Sequence, residues 1–126
     1  FCKQVAEIEK SGKPGIIKVG NLKVKRDFSH VKDVVRAYRM IIESDNCDRI
    51  YNVGSGTAYS IEEMLKYIVE LSSQKIEIEI DPNRIRPTDQ SVICCNYDLI
   101  RRELGWNPEY TVFDALKEMF RYYMKS

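Results

Sequence analysis

The chain has 126 residues, enough for one domain, and 20 basic side chains against 19 acidic ones leave a net charge of +1. That balance argues against the strongly basic face a nucleic-acid partner requires, and no apolar run reaches the roughly 20 residues needed to span a bilayer. Four cysteines without a C-x-x-C pair, beside a single histidine, fit none of the usual zinc patterns, so no metal site is expected.

Residues 1–11 are helix formers that stop at Gly12, with Pro14 beyond as a helix exit. Phe1-Cys2-Lys3-Gln4-Val5 has no initiator Met and reads as the middle of a helix, so a piece of a longer protein is expected. Ile16 to Val19 is a short β-like run closed by Gly20-Asn21. From Val31 to Glu43 the apolar positions Val31, Val34, Val35, Tyr38, Ile41 and Ile42 follow helical spacing. Arg49 to Gly54 reads as a strand ending in the Gly54-Ser55-Gly56 turn. Ser60 with Glu63 is a capping box that opens a helix carrying Met64, Leu65, Ile68, Val69 and Leu71.

Lys75 to Ile80 alternates isoleucine with charge, the pattern of a half-exposed strand with Ile76, Ile78 and Ile80 on one side. Asp81 to Pro87 is a loop stiffened by two prolines. Val92 to Cys95 reads as an edge strand, and about 97–104 as a helix ending at Gly105. A last helix after Thr111 is expected to bury Phe113, Leu116, Phe120 and Tyr123. The order predicts an α/β fold of mixed α+β character. Without a disulfide framework or a secretion signal, a reducing cytoplasm is the expected compartment.

Two stretches carry chemistry. Lys23 to Val34 holds Arg26, Asp27, His30 and Asp33; Asp81 to Asp89 holds Arg84, Arg86 and Asp89. A guanidinium is planar, permanently charged and able to take two phosphate oxygens at once, and a proline-held loop aims it at little entropic cost. On composition alone loop arginines are more often solvated surface. His30 at a helix start reads as structural, Trp106 as a packing anchor, and Asp27, Asp33 and Asn52 as bonded to loop backbone and helix ends.

Four motifs in order change that balance. Arg26-Asp27-Phe28-x-x-Val31-x-Asp33-Val34, Tyr51-Asn52-Val53-Gly54-Ser55-Gly56, Arg86-Pro87-Thr88-Asp89 and Leu104-Gly105-Trp106-x-Pro108 cover nearly the whole chain. They resemble the C-terminal part of the extended short-chain dehydrogenase/reductase family, the NAD-dependent epimerases and dehydratases. Val19-Gly20-Asn21-Leu22-x-x-Lys25-Arg26-Asp27-Phe28 is similar to the family's GDP-mannose branch, to its 4-dehydro-6-deoxy-mannose reductases first and its 4,6-dehydratases next.

The resemblance implies a substrate-binding part of a Rossmann-type enzyme, spanning 1–126 and lacking the cofactor-binding domain. It implies that Arg26 and Arg86 grip the diphosphate of a nucleotide sugar, a GDP-sugar in this branch. Asp89 would contact the nucleotide ribose or orient Arg86, and Asn21 would flank the base. It also implies an enzyme that uses NAD(P) and assembles as a homo-oligomer.

The cofactor and catalytic signatures of that family do not occur in these residues. No G-x-x-G-x-x-G or G-x-G-x-x-G turn is present, and none of the eight tyrosines has a lysine four residues on. The chain by itself is therefore expected to bind no cofactor, to supply no catalytic residue and to turn over no substrate. Two rival readings stay open: a stand-alone nucleotide-binding module, and a structural piece that binds nothing alone. A last expectation is self-association of the isolated chain, through the edge of 50–53 and the apolar stripe of Val34, Val35, Tyr38, Ile41 and Ile42.

Overall fold

A computed structural model of the chain describes residues 1–45, 49–85 and 90–126. Its elements are α1 (Cys2–Ser11), β1 (Gly15–Val19), β2 (Lys25–Asp27), α2 (Val31–Ile42), β3 (Ala58–Ser60), α3 (Ile61–Glu70), β4 (Ile76–Ile80), a 3-10 turn (Pro82–Arg84), β5 (Val92–Ile93), α4 (Asp98–Leu104) and α5 (Val112–Lys125). The expected α/β architecture of mixed character is what the chain adopts.

The helices stand where their end signals put them. Gly12 and Gly105 take the left-handed conformation that a side chain disfavours, and their N–H groups bond back to Glu9 and Arg101 carbonyls. Ser60 and Glu63 close a reciprocal capping box on α3, and Thr111 with Asp114 does the same on α5.

β1 pairs in parallel with β4, Gly15 opposite Ile76 through Val19 opposite Ile80. Parallel neighbours need a long crossover, and here it is the whole stretch from β2 to α3. Over this pair lie α1, α3 and α5. Cys2, Val5, Ala6, Ile17, Val19, Leu65, Ile68 and Phe120 form the main core there. Each large aliphatic chain fully withdrawn from water contributes about 1.5–3 kcal/mol. The expected outward–inward alternation of β4 is only partly realised: Ile76 is half-buried, but Ile78 and Ile80 stay 38% and 59% exposed. Among the described residues the sheet has two strands, and its helices sit over β1 more than over β4. In α5, Phe120 is buried and Phe113, Leu116 and Tyr123 are half-buried, while Val112, not singled out in the sequence, is buried as well.

A second sheet has the order β3-β2-β5, with β2 antiparallel to β3 and parallel to β5. Two of its strands, β2 and β3, escape the sequence pattern. The strand expected over 49–54 does not form in the described residues 49–54: Tyr51 and Val53 instead pack against a second small core of Ala37, Ile100 and Trp106. Ile50 is left 91% exposed. Without a ladder there, the edge-pairing route to self-association loses its basis. The helical stripe is divided: Val34 and Ile41 are half-buried, whereas Val31, Val35, Tyr38 and Ile42 remain 58–78% exposed.

Asp33, 1% exposed on α2, holds the second core to α5. Its carboxylate accepts the N–H groups of Glu109 and Tyr110, both at 3.0 Å, and the Arg36 guanidinium at 2.7 Å. Its carbonyl accepts the Trp106 indole N–H at 3.1 Å. Burial pushes the Asp33 carboxyl up, but Arg36 and the two backbone donors outweigh it and hold it below the usual carboxylate range. Hydroxyl and backbone donors lower the capping carboxylates Glu63 and Asp114 in the same way.

A depressed folded-state pKa stabilises above the unfolded value, about 4 for these groups, and that contribution is lost as pH falls through the folded value. We expect the thermal midpoint to hold from pH 7 to about 5 and to drop steeply below about 4. A midpoint unchanged down to about pH 3 would contradict this account of the carboxylates.

Candidate functional site

The site is built on β2 and the stretch that returns to it. Asp27, at the end of β2, is a junction. Its carboxylate accepts Ser55 N at 3.0 Å, the Ser55 hydroxyl, Gly56 N at 2.9 Å and Cys95 N at 3.1 Å. Three separate pieces of chain are joined there: β2, the 54–56 turn and the end of β5. Gly54 must lack a side chain because a Cβ would collide with that of Cys95. Asp27 is therefore committed to structure, as the sequence reading has it. Burial pushes the Cys95 thiol up, with Asp27 and Cys94 adding to the effect.

Arg26 precedes that junction and is half-buried. Its Nη1 donates to the carbonyl of Lys25 at 2.9 Å and to that of Gln90 at 2.7 Å. The guanidinium thus sits at the point where the 81–90 loop rejoins the sheet, and Lys25 N to Ser91 O at 2.8 Å completes the seam. Asn21 lies half-buried after β1, and its side-chain oxygen accepts Lys23 N at 3.0 Å. Arg86 and Asp89, the other two site residues expected from the sequence, lie outside the described residues. The 81–90 loop joins β4 to the strand beside Arg26, so its described flanks run between the Asn21 end and the Arg26 end of the site.

Arg84 was named in the second stretch of the sequence but given no role there. Nη1 donates to Lys18 O at 3.0 Å, and Nε lies 3.3 Å from an Asp81 carboxylate oxygen. The carbonyl of Arg84 packs so closely on Gly20 that a Cβ there would collide with it. A motif with two arginines separated by one residue was the available signal.

His30 is buried in contacts that hold the start of α2. It is 2% exposed, caps α2 by accepting Lys32 N at 3.2 Å, stacks on Tyr110 at 4.5 Å and lies 3.4 Å from Glu118. Trp106 is fully buried and anchors the second core. Among the described residues no group of three His, Cys, Asp or Glu could hold a metal, and no helix is long and apolar enough to cross a membrane. A groove of about 560 Å³ lined by Asn52, Asn96, Asp98, Leu99, Arg101 and Arg102 includes neither Arg26 nor Asn21. Arg101 in it is already taken by Asp98 at 2.8 Å.

Arg26 and Asn21 thus lie where the two described flanks of the 81–90 stretch meet β2 and the end of β1. A sequence model of the family described as GDP-mannose 4,6 dehydratase matches residues 1–119. The chain belongs to this family. Within it and among its wider kin, the NAD-dependent epimerases and dehydratases, the chain corresponds to the C-terminal part.

Among its relatives the chain is 29% identical to GDP-6-deoxy-D-mannose reductase of Pseudomonas aeruginosa, over 92% of this chain and 38% of that protein. It is 32% identical to UDP-glucose 4-epimerase of Corynebacterium glutamicum, over 74% of this chain and 28% of that protein. Its fold matches the structure of RMD from P. aeruginosa complexed with NADPH with a TM-score of 0.88 at 25% identity, covering 98% of this chain and 41% of that one. It also matches UDP-glucose 4-epimerase of Thermotoga maritima with UDP-glucose, TM-score 0.77 at 27% identity, over 97% and 38%. The chain spans between 28% and 41% of the length of these relatives.

Proposed function

We propose that this chain forms the nucleotide-sugar-binding part of an NAD(P)-dependent enzyme, a reductase of GDP-4-dehydro-6-deoxy-D-mannose. Arg26 and Arg86 grip the diphosphate, Asp89 contacts the ribose or orients Arg86, and Asn21 flanks the base. The observation that carries this reading is the family match over residues 1–119, with the P. aeruginosa reductase aligned over 92% of the chain. The half-buried Arg26 at the seam of the 81–90 loop supports it, because a fixed guanidinium loses little entropy on binding a diphosphate. NAD(P) and the catalytic residues belong, in this reading, to the part of such an enzyme that the chain does not span. A second reading, a GDP-mannose 4,6-dehydratase or a nucleotide-sugar epimerase, is favoured by the dehydratase and epimerase relatives.

An NMR titration of the labelled chain with GDP and with UDP tests the assignment. GDP should shift the amides of Asn21, Arg26, 84–86 and 88–91 at lower concentration than UDP. A response to UDP at lower concentration than to GDP would favour the epimerase reading, and no response to either would remove the nucleotide reading. Incubated with a GDP-4-dehydro-sugar and NADPH or NADH, the purified chain should show no turnover above a heat-killed control. Measurable turnover would contradict the placing of catalyst and cofactor outside it.

Self-association belongs to the same proposal and rests on the exposed α2 face of Val31, Val35, Tyr38 and Ile42. Light scattering should show mass rising with concentration, and a chain that stays monomeric into the millimolar range would refute it.

A further inference from the structure

The β1–β4 sheet has two outer edges, and they differ. Gly15 N donates to Lys75 O at 3.1 Å and Asp81 N to Val19 O at 2.8 Å, at the two ends of the ladder. A parallel ladder alternates, so the backbone groups of Lys75, Glu77, Glu79 and Asp81 face β1, and those of Ile76, Ile78 and Ile80 face away from it. The same phase turns the Lys18 carbonyl to the outer side of β1, where Arg84 Nη1 occupies it at 3.0 Å. That edge is thus plugged by a charged side chain, a usual protection against strand pairing. The β4 edge, among the described residues, presents the N–H and C=O groups of Ile76, Ile78 and Ile80 without a backbone partner.

We propose that the β4 edge docks the same edge of a second copy of the chain, the two strands antiparallel about a two-fold axis through Ile78. In that register Ile76 lies opposite the second copy's Ile80 and Ile78 opposite itself, and each pair exchanges both N–H···O bonds. Ile78 and Ile80 stand on the same face as their buried register partners Ile17 and Val19, yet are 38% and 59% exposed. A second copy lays its own isoleucines beside them and extends that apolar face. On the other face Lys75 meets the second copy's Asp81, a pair of opposite charge. Glu77 meets the second copy's Glu79, but Lys75 lies 3.3 Å from Glu77 and Lys18 3.9 Å from Glu79, so each carboxylate brings its own counter-charge. Any other register of the same phase leaves an isoleucine of each copy unpaired. The contact is separate from the α2 face and needs no nucleotide.

Amide hydrogen exchange at rising concentration, read beside light scattering, tests this. The amides of Glu77, Glu79 and Asp81, bonded to β1, should be protected at every concentration. Those of Ile76, Ile78 and Ile80 should exchange freely in dilute chain and slow roughly 10-fold or more as the mass doubles. Ile78→Lys and Ile78→Glu each set like charges against one another on the two-fold axis. Each should weaken association roughly 10-fold or more, with the 77, 79 and 81 amides still protected. An equimolar mixture of the two variants should regain association, because lysine then faces glutamate. Association with the 76, 78 and 80 amides unchanged would place the contact elsewhere, such as the α2 face, and overturns the proposal. So does a chain that stays monomeric into the millimolar range, either variant associating as wild type does, or a mixture of folded variants that stays monomeric. The wild-type exchange pattern decides the matter even if a variant fails to fold.

Discussion

Asp33→Ala should cost the chain about 2–4 kcal/mol of folding stability, a large loss for a single polar side chain. The carboxylate is 1% exposed and serves three donors at once, the Arg36 guanidinium and the N–H groups of Glu109 and Tyr110. Alanine leaves two backbone donors without their acceptor and removes the nearest charge from a half-buried arginine. Arg36 keeps Glu109 at 3.1 Å and the Asn107 carbonyl, which holds the cost below that of stranding a fully buried charge. Asp33→Asn keeps one acceptor oxygen but removes the charge, so it should lose roughly half as much. Against a total stability of about 5–15 kcal/mol, either loss is easily resolved by urea unfolding with an unchanged slope. A change below about 0.5 kcal/mol for alanine would mean that the segment before α5 holds itself without Asp33.

The helices were legible because their ends are written in local chemistry: a left-handed glycine at 12 and 105, reciprocal caps at Ser60–Glu63 and Thr111–Asp114. The second sheet was not. Lys25-Arg26-Asp27 has no apolar alternation, and it becomes a strand because Asp27 ties it to a turn 28 residues on. Arg49 to Gly54 has strand-like residues but finds no neighbour among the described residues, so Tyr51 and Val53 go to the Trp106 core instead. Tertiary contact, not propensity, decided both.

The site divides in the same way. Asp27, Asp33, His30 and Trp106 were read as structural, and each is held by the bonds and packing given above. Arg84 was named in the sequence without a role, because its carbonyl partner lies 66 residues away, a distance no local pattern encodes. Arg86 and Asp89 rest on the resemblance, since they fall outside the described residues.

Arg26 and Arg86 carry the central claim. Hydrogen bonds to a charged group contribute about 1.5–3 kcal/mol each, so losing one arginine's grip should weaken a GDP-sugar roughly 10- to 100-fold. Arg26→Ala acts twice, because the same guanidinium also holds Gln90 O where the loop rejoins the sheet. Its loss should therefore equal or exceed that of Arg86→Ala. Lysine at either position should recover only part, since a point charge cannot take two phosphate oxygens in one plane. The most direct test is calorimetric titration of GDP-mannose into the wild-type chain, Arg26→Ala and Arg86→Ala side by side. The account predicts saturable binding by wild type and a loss of roughly 10-fold or more in each variant; either alanine variant binding as tightly as wild type, or no binding by wild type, would contradict it.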